Sequence, residues 1–126
     1  MRTQLTFSTA ALVLATAVAA SAAPMVKTVE TANGNVLAGE NGMTLYIFDK
    51  DSDGASACYD KCATNWPPFL VAEGETPDEG FSVVTRTDGH QQWAYDGKPL
   101  YYWKNDVKEG DITGDGVLGL WQLARP

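Results

Sequence analysis

Leu45-Tyr46-Ile47-Phe48-Asp49-Lys50-Asp51 returns as Leu100-Tyr101-Tyr102-Trp103-Lys104-Asn105-Asp106, and this recurrence constrains the fold more than any other feature of the chain. The same offset pairs Val29 with Val84, Gly34 with Gly89, Gly42 with Gly97, Asp60 with Asp115 and Trp66 with Trp121, with no gap. Identical residues in this order, at turn and core positions, mark a tandem duplication of one small unit. Such a unit cannot bury both faces of a sheet, so each copy needs the other to complete a core.

Turn signals divide each copy. Asn33-Gly34, Asn41-Gly42, Asp88-Gly89 and Asp96-Gly97 are dipeptides of the kind that closes two-residue hairpins, because they tolerate positive φ. Between them lie runs rich in β-branched and aromatic residues: Val26–Thr31, Asn35–Ala38 and Met43–Phe48, then Phe81–Thr87, Gln91–Tyr95 and Pro99–Trp103. Each copy therefore reads as a three-stranded meander, with a fourth strand at Pro68–Val71 and at Leu118–Leu123. Nothing after the N-terminal leader keeps a helical period. One short helix is expected around the cysteine pair, over Ser56–Thr64, with Ser56 as its cap and Asn65-Trp66-Pro67-Pro68 ending it. The expected fold class is all-β: two tandem meanders packed as one small domain. Repeat one runs over about 26–72 and repeat two over about 81–126, joined by the polar loop Glu73–Gly80.

Tyr46/Phe48/Asp51 and Tyr101/Trp103/Asp106 each spell Tyr-x-aromatic-x-x-Asp. With the intervening Cys58…Cys62…Trp66-Pro67-Pro68, the chain resembles the bacterial secreted-repeat lipoprotein family, which that motif defines. The resemblance spans nearly everything after the leader. It implies a secreted repeat protein and no particular activity, since the family is named for an unknown function.

Arg2, the apolar run Ala10–Ala20 and the small-x-small site Ala20-Ser21-Ala22 read as an export signal over residues 1–22, cleaved after Ala22. The run is short for a bilayer span. No cysteine lies near the cleavage site, so neither a membrane span nor a lipid anchor is expected, and the location is periplasmic or secreted. Residues 23–126 then form one β domain. Loss of Arg2 leaves eight basic against sixteen acidic residues, a net charge of −8. That balance argues against nucleic acid and anionic lipid and favours cations or a basic protein. Solubility alone is the plainer explanation.

Two stretches carry candidate chemistry. Cys58 and Cys62, four apart, would sit on one face of a helical turn with Cα atoms about 6 Å apart, within disulfide range. Closing so short a loop contributes about 2 kcal/mol in the chain-entropy model. Alternatively, the pair binds copper with His90, the sole histidine, or with Met25 or Met43 as soft ligands. Covalent haem is excluded, because no Cys-x-x-Cys-His is present.

The second stretch is Asp49-Lys50-Asp51-Ser52-Asp53-Gly54, continued to Asp60. It places acids at the first, third, fifth and twelfth positions of an EF-hand-like register, with Gly54 at the sharp turn and the Ala55 carbonyl as a further ligand. This makes Ca²⁺ a candidate cofactor, with Asp49, Asp51, Asp53 and Asp60 expected to converge. The alternative is a turn held by side-chain-to-backbone bonds. Repeat two has Lys104 and Lys108 in the corresponding places, so an in-frame second site is not expected. Asp106, Asp111 and Asp115 among glycines form a weaker, irregular candidate. Asp51 and Asp106, common to both copies, point first to a loop-capping role.

The aromatics mostly suit a core, Trp66 and Trp121 foremost; Tyr59, Tyr95, Tyr101 and Tyr102 are freer to bind a sugar or a partner. One histidine, no nucleophile elbow and no phosphate loop leave no constellation for catalysis. The expectation is a small exported binding or interaction module of unknown ligand, stiffened by a disulfide, with Ca²⁺ as a candidate second tie. The competing expectation is a periplasmic copper or redox accessory protein using the cysteine pair. A buried disulfide favours the first and an accessible, reducible pair the second.

Overall fold

The computed structural model describes residue 3 and residues 23–126. The expected leader therefore lies outside the described residues but for Thr3, and no helix among those residues is long and apolar enough to cross a membrane.

The fold is all-β with one short helix. In chain order come β1 (Val26–Thr31), β2 (Gly34–Gly39), β3 (Tyr46–Phe48), α1 (Lys61–Asn65), β4 (Phe81–Thr85), β5 (Gln91–Tyr95), β6 (Lys98–Pro99) and β7 (Trp121–Leu123), with a 3₁₀ turn at Val117–Gly119 before β7. β1 pairs with β2, β4 with β5, and β5 with β6, all antiparallel. In repeat one the strand equivalent to β6 is reduced to an Ala38–Thr44 bridge.

The fourth strands are exchanged. β7, the end of repeat two, pairs with β3 of repeat one through Tyr46–Leu123, Ile47–Gln122 and Phe48–Trp121. Reciprocally, Pro68 and Leu70 of repeat one bridge Tyr101 and Gln92 of repeat two. The hydrogen bonds repeat accordingly: Ala124 N–H donates to Leu45 O and Phe69 N–H to Leu100 O, both at 2.9 Å. At the centre Tyr46 and Tyr101 pair with each other, N–H to O, at 2.8 and 3.0 Å. These contacts obey a local two-fold running between the two tyrosine backbones. They also show why one copy is insufficient: each meander is completed only by the other's last strand.

The rings follow the same symmetry. Phe48, Trp121, Trp66 and Trp103 form one column, with centroid spacings of 4.2, 3.7 and 4.1 Å. Trp66 and Trp121, equivalent residues, lie 3° from parallel at its centre. Tyr46 meets Trp66 edge-on at 5.3 Å, and Tyr101 meets Trp121 in the same way at 5.1 Å. Around the column lie Val36, Cys58 and Leu123. A second cluster, Leu37, Leu45, Trp93, Leu100 and Ala124, fills the other side.

The gapless alignment fails in the middle strand. Leu45 N–H donates to Leu37 O, whereas its equivalent Leu100 donates to Trp93 O, one residue beyond the fifty-five-residue offset. The cause is turn length. Repeat one has a two-residue turn, Ala32–Asn33, and then a three-residue one, Glu40–Gly42; repeat two reverses the order, with Thr87–Gly89 and then Asp96–Gly97. Only Asp96-Gly97, with φ of 51° and 79°, is the expected two-residue turn with both residues at positive φ. In the longer turns the middle side chain accepts the amide two residues on, Asn41 from Met43 and Asp88 from His90, and a left-handed glycine follows. The helix also starts late. Ser56 does not cap it; Asp60 stands at the cap position without a side-chain bond, and the helix ends at Asn65 before Trp66-Pro67.

Candidate functional site

The family motif builds a crossed latch. The Tyr46 hydroxyl of repeat one donates to Asp106 Oδ2 of repeat two at 2.6 Å, and the Tyr101 hydroxyl of repeat two donates to Asp51 Oδ2 of repeat one at 2.7 Å. Each aspartate also holds its own following loop. Asp51 Oδ1 accepts Ala57 N–H at 2.7 Å; Asp106 Oδ1 accepts Thr113 N–H at 3.0 Å and Thr113 Oγ1–H at 2.6 Å. Both tyrosines are fully buried, so the expectation of a freer Tyr101 is overturned: strand exchange covers it. Burial first, and the hydrogen bond to a carboxylate next, drives the Tyr46 pKa far above the ordinary phenol value. Tyr101 is raised in the same direction, chiefly by burial. Phenols held neutral in this way are structural donors, unsuited to proton transfer at neutral pH.

Beside Asp51 lies a polar cluster that the sequence reading missed. Arg86 is 2 % exposed. It donates to Cys58 O at 2.6 Å, to Gln92 Oε1 at 2.8 Å and to Ser56 Oγ at 3.0 Å, and its guanidinium lies 4.4 Å over the Tyr59 ring. Its Nε has no hydrogen-bond partner, with Asp88 Oδ2 3.6 Å away. Because Tyr101 gives its proton to Asp51, Ser56 donates to Tyr101 at 2.6 Å. One signal was available: Arg86 shares strand parity with Val84, which is buried.

Cys58 and Cys62 form the disulfide, Cα atoms 5.2 Å apart, with Cys58 fully buried and Cys62 partly so. No free cysteine remains, so the bonded protein offers no thiolate to a metal. His90 is an exposed residue on the β4–β5 turn, its Nδ1 3.2 Å from Asp88. Met25 is exposed and Met43 half-buried.

The four carboxylates of the expected calcium loop do not converge. Asp49, Asp51 and Asp53 line one cavity of about 170 Å³, but Lys98 and Gln122 share it. Asp49 accepts Gln122 Nε2–H at 3.0 Å, and Asp51 is engaged as described. Asp60 stands at the start of α1, and Ala55 bridges back to Ser52 instead of facing the acids. Among the described residues no group of three or more His, Cys, Asp or Glu side chains is close enough to hold a metal ion. The physical reason is where the strand ends: β3 stops at Phe48 and a turn closed by Asp51 N–H on Phe48 O follows, leaving Asp49 to Gln122 of β7 and Asp51 to Tyr101. In repeat two, Asp111 accepts the amides of Val107 and Lys108, which hold its pKa below the usual carboxylate range, and Asp115 accepts from Asn33.

An open cavity of about 420 Å³ lies elsewhere, against Met25, Glu40, Phe69, Leu70, Glu75 and Tyr102. Burial pushes the Tyr102 phenol up to about 12. Its counterpart across the two-fold, about 240 Å³, is lined by Ile47, Asp96, Lys98, Ala124 and Arg125.

Comparison with curated proteins and with solved structures returns no match to this chain. The model of a family described as a secreted repeat of unknown function matches it twice, over residues 27–69 and 82–125, which are the two strand-exchanged copies. The chain therefore belongs to that family of secreted repeats.

Proposed function

We propose that this protein is an exported, non-catalytic binding module: a doubled, disulfide-tied β scaffold that presents an open cavity to a small ligand. One observation carries the reading. The buried polar groups of the motif, Tyr46, Tyr101, Asp51 and Asp106, are engaged in bonds that hold the repeats together. The carboxylates of Glu40 and Glu75, by contrast, stand beside exposed apolar surface around the 420 Å³ cavity. The only histidine is exposed at a turn, and burial raises the phenols of the motif, Tyr46 and Tyr101, away from any acid–base role near neutrality. Export follows from the family's description as secreted, together with the leader-like N-terminus. Calcium is not needed for this reading, because Asp51 already has its partners.

The test is a protein-observed NMR screen of residues 23–126 with a chemically mixed fragment set. Fragments are expected to perturb the amides of Leu70, Ala72 and Tyr102 together. Perturbations without a common locus, or none, would contradict the reading.

A further inference from the structure

We propose that the cavity beside Glu40 and Glu75 binds a small organic cation, an ammonium group carried on an apolar body. The inference rests on the binding-module reading and names its ligand class. At about 420 Å³ the cavity is of small-molecule size. Met25 and Leu70, which line it, are 51 % and 41 % exposed, and they are two of only four large hydrophobic residues so exposed among the described residues. Phe69 and Tyr102 pack edge to face at 5.6 Å in its wall. An apolar body therefore has surface to cover.

The charged lining is wholly acidic, Glu40 and Glu75, with Asn41 as a neutral polar neighbour. Glu75 is fixed: its Oε1 accepts Ala72 N–H at 2.7 Å and Trp93 Nε1–H at 3.4 Å. Among the described residues, Glu75 Oε2 and both Glu40 oxygens accept no hydrogen bond, and neither residue enters an ion pair. No lysine or arginine lines the cavity. Two unneutralised carboxylates beside rings and a thioether complement an alkylated ammonium, whose partial desolvation in an open mouth costs little. The net charge of −7 adds a field that draws cations in.

The duplication supplies an internal comparison. Across the two-fold, Phe69, Leu70 and Tyr102 become Ala124, Arg125 and Ile47; Glu40 becomes Asp96, joined by Lys98. The same place in the same architecture is built there with two cations, and with the single ring of Tyr95 in place of the Phe69–Tyr102 pair. What sets the first cavity apart is therefore the ring pair and two acids with no lysine or arginine beside them.

The experiment is an amide-shift titration of residues 23–126 with benzyltrimethylammonium, with benzyl alcohol and benzoate as neutral and anionic counterparts. Variants are Glu40→Gln, Glu75→Gln (which keeps the acceptor for Ala72) and Asp96→Asn. The expected result is saturable shifts at Leu70, Ala72 and Tyr102 with the cation. Affinity should fall by about tenfold in the paired Glu→Gln variant, fall part-way in exposed Glu40→Gln alone, and stay unchanged in Asp96→Asn. Benzyl alcohol or benzoate binding there as tightly as the cation overturns the proposal while leaving a binding module standing. Equal shifts around Lys98 and Arg125 also overturn it. If no probe saturates anywhere, the proposal and the binding-module reading fall together.

Discussion

Trp66 and Trp121, equivalent residues of the two repeats, stack at 3.7 Å with planes 3° apart, so the core of this protein is a contact between a residue and its own duplicate. The column continues to Trp103 on one side and Phe48 on the other, again equivalents. Removing either central ring empties the middle of the column. Trp66→Ala and Trp121→Ala are each expected to cost about 3–5 kcal/mol, measured by urea unfolding. A cost below about 1 kcal/mol, typical of surface positions, would mean that the column does not organise the fold.

Asp51 separates the architectural reading from the calcium reading. Asp51→Asn loses the acceptor for either the Tyr101 hydroxyl or the Ala57 amide, and is expected to cost about 1–3 kcal/mol. Melting in calcium and in chelator should show the same loss. A wild-type gain in calcium that the variant lacks would restore a metal to this loop.

Asp51 also predicts a pH dependence. Burial raises its pKa above the ordinary 3.8, against the opposing pull of the Ala57 and Tyr101 hydrogen bonds and the Arg86 charge. The native state therefore holds this proton more tightly than the unfolded chain. Its contribution to stability falls as pH rises from the unfolded to the native value. Asp88 and Asp111 have lowered pKa values, from amide hydrogen bonds first, and act oppositely. The wild-type stability curve minus that of Asp51→Asn isolates the effect, and should decline with rising pH from just below 4 upward. A flat or rising difference contradicts it.

Arg86 ties the disulfide loop to β5 through Cys58 O and Gln92. Arg86→Ala leaves both acceptors buried and unpaired, at an expected cost of about 3 kcal/mol in urea unfolding. Arg86→Lys should rescue little, because an ammonium cannot reproduce the planar fork. Full rescue by lysine would show that charge alone matters there.

The disulfide should be closed in exported protein. Intact-mass measurement is expected to show a gain of two hydrogens only after reduction, and reduction of the folded protein is expected to be slow, with Cys58 fully buried and Cys62 partly so. Rapid reduction of the folded protein would favour the accessory-protein alternative.

Much of this was legible in the sequence, and what was not has physical causes. Tyr46/Tyr101 and Trp66/Trp121 announced the duplication, and the Asx-Gly dipeptides announced the meanders. Strand exchange leaves no local trace, since Pro68–Val71 reads alike whichever repeat it joins. Asn41-Gly42 and Asp96-Gly97 look equivalent, yet one closes a three-residue turn and the other a two-residue turn, which hid the register shift. In the calcium register of Asp49–Asp60, β3 ends at Phe48 and the turn that follows gives Asp49 to Gln122 and Asp51 to Tyr101 and Ala57, partners that no local pattern announces. Tyr101 lost its apparent freedom through the exchanged Pro68 segment. The open cavity joins residues from four distant segments, at Met25, Glu40, Leu70 and Tyr102, and no motif could have revealed it.

The central claim is that the family motif is a latch between repeats, Tyr46 to Asp106 and Tyr101 to Asp51. A double-mutant cycle on Tyr46→Phe and Asp106→Asn, measured by urea unfolding, tests it most directly. Each single change should cost about 1–3 kcal/mol, and the pair should cost less than the sum by about 1 kcal/mol or more. Additive losses, within about 0.3 kcal/mol, would show that the two side chains do not act on each other and would contradict the latch.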